Sequence, residues 1–296
     1  MPQAMNKAYL LVLCSYVMAL VAASFVLFLT PDLHLLLRIL IADVAGTVVV
    51  FIFSLLYKNS SFYDPYWSIV PLFILLYMLF HSTANDWIRE ILVSSIIILW
   101  GLRLTINWLY TWKGLDHIDW RYTLLKEKSG IFWMPVNFFG IHLIPTIIVF
   151  MACTPVYSVT VSGTNQLNFL DIAAFCLGLF SVWIEFQADR ELHQFRSVRI
   201  DSSQVLNTGL WSWCRHPNYL GELGFWTSVF LFGAASGNGF NLLTISGLTI
   251  MLLLFIFVSI PLIEDKLSVD KPGYHQYKAR TFSLLPLSRI LGNPFS

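Results

Sequence analysis

The segment "LWSWCRHPNYLGELGFW", residues 210–226, sets Arg215, His216, Asn218 and Glu222 between apolar runs. Pro217 can open a helix there at no cost in hydrogen bonds, because the first N–H groups of a helix have no partner inside it. Those N–H groups favour an anion, Arg215 and His216 flank them, and a phosphate is the natural anion. Asn218 and Glu222 lie four residues apart and so share a helical face. Glu222 is a turn too deep to serve that phosphate and needs a donor of its own. A second stripe, in "VWIEFQADRELHQFRSVR", repeats Glu185, Asp189, His193 and Arg196 at helical spacing. Salt bridges along a helix end would explain part of it, but two acids four apart repel. Glu185 and Asp189 therefore point to a partner with hydroxyl or amide donors, such as a ribose or a carboxamide.

Four further stretches carry polar chemistry. In "LWGLRLTINWLY", Arg103 and Asn107 stack on one face inside an apolar run. An ionisable group there costs roughly 2.5–3.5 kcal/mol on insertion scales, so it faces protein or a wet cavity. An interhelical clamp and an anionic or carbonyl partner both fit. In "FYDPYWSIVP", Asp64 is placed either to cap a helix or to serve as a proton donor or carbonyl partner, with Tyr63 and Tyr66 as neighbouring phenols. "DWRY" (Asp119, Arg121, Tyr122) and "EDKLSVDKPGYHQYKARTFSLLP" (Glu264, Asp265, Tyr274, Tyr277, Arg280) read as solvated loops on their own. Their sharing a face with the other clusters favours a role in one site.

These residues must be held by membrane helices. Of the 296 residues 57% are hydrophobic and 12% charged, against roughly 45–50% and about 25% in soluble domains. A net charge of +1 offers no field to gather nucleic acid, and the 16% aromatic content suits bilayer interfaces. Cys14, Cys153, Cys176 and Cys214 lack the close pairs of metal or disulfide frameworks and read as small buried hydrophobes; no metal is expected. Spans of about 20 residues are predicted near 8–29, 36–57, 66–82, 90–111, 136–154, 169–188, 218–235 and 241–263, the third and seventh being short. The first is too long for a signal-peptide core and lacks its flanking features, so it is read as a retained span. Seven to eight spans make an all-α polytopic protein. With eight, 15 of the 18 Lys and Arg share one face, Arg38 and Arg89 lie opposite, and Arg103 lies within a span. The positive-inside bias makes that face cytosolic, with both termini in. No repeat or linker divides residues 1–296, which read as one membrane domain.

The residues "TGLWSWCRHPNYLGE", the E-x-x-x-D helix end before them and the basic, Tyr-rich tail ending in "LLP" resemble the steroid 5-alpha-reductase family. The likeness is to a poorly characterised branch of it carrying the RHPNYLGE signature with "WGLRL", "DWRY" and "EDK". It covers 63–286, leaving 1–60 as helices peripheral to the site. The resemblance implies an NADPH-dependent reductase of a carbon–carbon double bond conjugated to a carbonyl in a lipid or steroid-like substrate. Its cofactor cavity would open to the cytosol, in the endoplasmic reticulum of a eukaryote or the inner membrane of a bacterium. By the same resemblance Asn218 and Glu222 hold the nicotinamide half, while Asp189 and Arg196 contact ribose and phosphate. His193 stands where the steroid enzymes have Arg. Asp64 matches the Glu that binds the substrate carbonyl, with Tyr63 and Tyr66 as further catalytic candidates. Arg103, Arg121, Tyr122, Glu185, Arg215, His216, Tyr277 and Arg280 complete the expected cofactor-binding set. Trp100 replaces the family's proton-donating Tyr, and an indole N–H is no acid at neutral pH, so the proton must come from another group.

The membrane methyltransferases of the isoprenylcysteine carboxyl type also carry an RHPxYxG element, with S-adenosylmethionine at that junction. Asn218, Glu222 and the acidic stripe favour the reductase. A transporter or scaffold would be expected to show inverted repeats or broken spans in corresponding halves, and neither is legible. The sequence leaves the reduced lipid and the oligomeric state open.

Overall fold

A computed structural model describes residues 2–84 and 86–285; Pro286 and Arg289, which entered the reading of the tail and of the charge bias, lie outside them. The described residues form ten helices: α1 (Pro2–Leu29), α2 (Leu35–Leu56), α3 (Tyr66–Phe80), α4 (Trp87–Thr111), α5 (Trp120–Ser129), α6 (133–162), α7 (Phe169–Val198), α8 (Pro217–Ala235), α9 (Leu242–Asp270) and α10 (Tyr274–Arg280). Seven helical stretches are long and apolar enough to cross a membrane. The chain is an all-helical polytopic membrane protein. In hydrocarbon only a helix satisfies its own backbone within one segment, which is why every apolar run takes this form. α8 has the length of a span, but its Asn218–Glu222 start leaves it less apolar than those seven.

Local sequence sets the helix ends. Asn168 and Asp171 form a reciprocal capping box at the start of α7, as do Asn241 and Thr244 at the start of α9. Asp119 caps α5, and Pro217 takes the first position of α8. Gly130 ends α5 with φ at 51°, a left-handed conformation that a side chain would strain. π-helical segments at Val136–Leu143 and Phe255–Ser259 run just ahead of Pro145 and Pro261; each proline lacks the N–H that a regular ladder needs, and the wider turn re-routes the freed carbonyl. One predicted polar stretch contains more helix than expected, since α5 begins inside 112–131 under the Asp119 cap. α7 runs ten residues past the 169–188 span to Val198, as the helical spacing of Glu185 to Arg196 implied.

The chain divides into two compact units. The first, residues 1–84 and 97–162, packs α1 on α2 and α3 on α6. Its core gathers Val12, Val50, Phe62, Tyr63, Tyr66 and Trp112. The second, 85–96 and 163–296, is built on the close pairing of α7 with α8. A Cβ on Gly221 would strike Glu185 and the Ser181 carbonyl, and one on Gly224 would strike the Ser181 hydroxyl. The "GELG" spacing thus lets two backbones approach, as small residues do between membrane helices. Ser228 Oγ crosses the same seam to donate to the Ala174 carbonyl at 2.6 Å. Of the four cysteines Cys153 and Cys214 are buried as expected, whereas Cys14 and Cys176 are exposed on α1 and α7; the sequence does not say which side of an all-apolar helix turns outward.

Arg89 anchors the second unit. Its guanidinium donates to Asp171 at 2.7 and 2.8 Å and to the carbonyls of Asn165 and Gln166 at 2.7 and 2.8 Å. The two side chains are 3% and 0% exposed. Arg89→Met should therefore destabilise the fold by about 3–5 kcal/mol by stranding a buried carboxylate. The Arg89→Met/Asp171→Leu double variant should recover much of that loss in a detergent thermal melt.

Candidate functional site

The RHPNYLGE segment folds around one carboxylate. Glu264 of α9 is 4% exposed and its Oε1 accepts from Arg215 Nε at 2.7 Å and from His216 Nε2 at 3.0 Å. Its Oε2 pairs with Lys278 Nζ at 2.8 Å. The Arg215 guanidinium also donates to the carbonyls of Lys278 (3.1 Å) and Thr281. The backbone N–H groups of Arg215 and His216 donate to the carbonyls of Phe282 (2.9 Å) and Ser283 (3.0 Å). Tyr277 closes the seam by donating to the Trp211 carbonyl at 2.5 Å. "CRHP" and the tail after α10 are thus one clamped unit, and Pro217 is held where α8 must begin. Arg215 and His216, expected to flank an anion, give these donors to Glu264. Burial holds His216 below the ordinary histidine range even though the Glu264 carboxylate opposes it. Burial also pushes the Cys214 thiol up to about 11, far from a nucleophilic thiolate.

Beside this clamp lies an open groove whose lining includes Phe195, Arg196, Arg199, Asn218, Tyr219 and Lys271. Arg196, Arg199, Arg215 and Lys271 bring four cations to it, and no Asp or Glu is among the residues that line it. Lys271 sits below its ordinary value because of its partial burial and the charges of Arg199 and Arg196, which outweigh the opposing pull of Asp270 and Asp201. The Lys271 ammonium donates to the Gln204 carbonyl and lies 6.0 Å from the Phe195 ring centroid. Arg199 and Lys271 were not singled out from the sequence. The three-residue step from Arg196 to Arg199 along α7 was legible; Lys271 reaches the groove from another helix end.

The other predicted cofactor residues of the second unit lie around this groove and deeper between α7 and α8. Glu185 is 1% and Glu222 5% exposed. Glu185 packs on the Gly221 backbone, and Glu222 Oε1 accepts from Trp226 Nε1 at 2.8 Å. Asp189 and His193 are partly buried along the same helix, whereas Arg196 and, on α10, Arg280 are exposed. Tyr277 is buried in the clamp.

In the first unit a second cluster forms. Tyr122 donates its hydroxyl to Asp64 Oδ1 in a short hydrogen bond. Arg121 Nη2 lies 4.0 Å from the same oxygen while its Nε donates to Asp119 at 2.8 Å. Burial would raise the Asp119 carboxyl, yet the Arg121 guanidinium holds it below the usual carboxylate range. The DWRY residues therefore gather on Asp64. Tyr63 and Tyr66 do not: their hydroxyls bond Thr146 at 2.7 Å and Asp43 at 3.0 Å, on the buried side of the turn. Arg103 and Asn107 are partly buried one turn apart on α4, and Trp100 above them is fully buried against Trp67.

The chain belongs to the DUF1295 family, described as proteins of unknown function, which it matches over residues 50–281. It is also 26% identical to an uncharacterized protein of Schizosaccharomyces pombe, over 77% of this chain and 73% of that relative. No solved structure matches it significantly.

The burial of His216 carries a pH dependence. A histidine held below its unfolded value binds fewer protons folded than unfolded, so stability is lost as pH falls through about 6.5. The melting temperature should drop between pH 7.5 and 5.5, and His216→Gln should flatten that part of the profile relative to the parent.

Proposed function

We propose that this member of the DUF1295 family is a membrane reductase that uses NADPH to reduce a carbon–carbon double bond conjugated to a carbonyl in a lipid or steroid-like substrate. The observation that carries the proposal is the carboxylate-free groove bearing Arg196, Arg199 and Lys271. Its donor set suits a dinucleotide with several phosphates, whose charge the cations would neutralise. It suits S-adenosylmethionine poorly, since that cofactor carries a sulfonium and no phosphate. The methyltransferase alternative rests on the RHPxYxG likeness.

Arg196, Arg199 and Lys271 would hold the phosphates, with Asn218 and Tyr219 along the same wall. Glu185, Asp189 and Glu222 offer acceptors for hydroxyl and carboxamide donors deeper between α7 and α8. When bound, NADPH supplies a hydride to the β carbon of the enone. The chain must then stabilise negative charge growing on the carbonyl oxygen and deliver a proton. Trp100 cannot, and the hydroxyls of Tyr63 and Tyr66 are buried on Thr146 and Asp43. Our candidate is the Asp64–Tyr122 pair of the first unit, whose carboxyl keeps 18% of its side chain exposed, accepts from the Tyr122 O–H and has Arg121 4.0 Å away. On this reading the groove and the basic tail face the cytosol, where the nucleotide pool lies.

NADPH, or its 2',5'-ADP fragment, should raise the melting temperature by mass action, worth about 2.7 kcal/mol at a hundred times Kd, and the rise should shrink with salt. Arg199→Ala or Lys271→Ala should abolish that rise without lowering the apo melting point. A rise with S-adenosylhomocysteine and none with 2',5'-ADP would move the assignment to the methyltransferase. Tyr122→Phe should cut turnover on an enone lipid by about 10²–10⁴-fold while leaving the NADPH-induced shift in place.

A further inference from the structure

A second cavity, of about 330 Å³, lies wholly within the first unit among α1, α2 and α3. Its wall is almost entirely hydrocarbon, including Leu20, Phe73, Ile74 and Phe80. Leu20 is 42%, Phe73 44% and Phe80 84% exposed. Apolar side chains left open on membrane-spanning helices mark a mouth toward lipid rather than toward water. Its polar lining is confined to the hydroxyl residues Tyr16, Ser24, Tyr66 and Tyr77 and to one carboxyl. Asp43 of α2 lines it, is 6% exposed, and sits about 12 Å along its helix from Leu35, well inside the span.

The two oxygens of Asp43 differ. Oδ1 accepts from the Tyr66 hydroxyl at 3.0 Å. Oδ2 is buried and has no hydrogen-bond partner among the described residues. Gly46, one turn beyond Asp43, leaves the space that the Tyr66 hydroxyl occupies, so one side of the carboxyl is fixed by design of the local sequence. A polar atom in hydrocarbon without a partner is costly, and an intramembrane acid is retained where it meets a ligand or a wet path. The ligand must reach Oδ2 from the lipid side, so it is apolar with a single polar end. A hydroxyl fits best, since it donates to a carboxylate and accepts from a carboxylic acid and so pairs with Oδ2 in either protonation state.

We propose that this cleft is a binding site for a lipid alcohol, with its hydroxyl on Asp43 Oδ2 and its hydrocarbon body lying between α1, α2 and α3. The site is separate from the Asp64–Tyr122 pair and from the cationic groove, and it does not rest on the reductase reading.

The test uses the full chain in phosphatidylcholine nanodiscs with a sixteen-carbon primary alcohol carrying a diazirine and a terminal alkyne. Photolabelling should be saturable, should map to peptides of α1–α3, and should be competed by hexadecanol but not by hexadecane. Asp43→Leu should weaken it by about tenfold or more, the scale of one lost hydrogen bond to a buried group. Ala23→Phe, which fills the cleft from α1 and leaves Asp43 in place, should block labelling even if Asp43→Leu does not fold. Labelling unchanged in a folded Asp43→Leu or Ala23→Phe variant, or competed equally by hexadecane, would reduce the cleft to an ordinary acyl-chain crevice and overturn the proposal.

Discussion

Hydrocarbon offers no hydrogen bonds, and this chain's architecture follows from where its polar side chains find them. A buried charge in a membrane helix is kept only if protein supplies its partners. Arg89 shows the structural solution: a bidentate carboxylate and two carbonyls absorb the whole guanidinium. Glu264 shows a second solution, in which one carboxylate collects three basic side chains from the CRHP segment and the tail. That collection point adds to the backbone bonds of Arg215 and His216 to Phe282 and Ser283, and together they fix where the first turn of α8 begins.

The same constraint separates structural from functional polarity. Where partners are complete, as around Arg89 and Glu264, the residues position others. Elsewhere cations crowd a groove that no Asp or Glu lines, and Asp43, in the wall of an apolar cleft, keeps one oxygen without a partner among the described residues. Residues outside the membrane-length runs but clamped to them, such as Lys271 and Tyr277, line that groove. The clamp gives Arg215 and His216, the most conspicuous bases of the signature, a part in holding α8 in place, through Glu264 and the carbonyls of Lys278 and Thr281.

The pairing of Asp64 with Tyr122 redistributes the roles that type and spacing suggested. Tyr63 and Tyr66 are nearest to Asp64 in sequence, but the 3-10 turn at Ser60–Tyr63 and the start of α3 turn both phenols inward. Tyr122 is 58 residues away and comes back through α5, whose cap Asp119 also orients Arg121. Trp100 fills space against Trp67, consistent with an indole where an acid is absent.

Composition and periodicity by themselves determined the solvent, the helical class and the helical segments, because continuous apolar runs of about 20 residues in a chain at 57% hydrophobic residues suit spanning helices, whereas barrel strands are about half that length and alternate in polarity. Pro217 as the start of α8 was legible for a similar reason: a helix start is local, fixed by residues within a turn or two. Pairings between distant segments were not. That Glu264 meets Arg215 and His216, that Tyr122 rather than Tyr63 reaches Asp64, that Arg199 and Lys271 share a groove, and that Asp43 keeps one oxygen toward a lipid-facing cleft depend on how helices rotate about their axes and pack. An all-apolar helix carries no amphipathic stripe to announce that rotation, so only the tertiary structure decided which polar groups would meet.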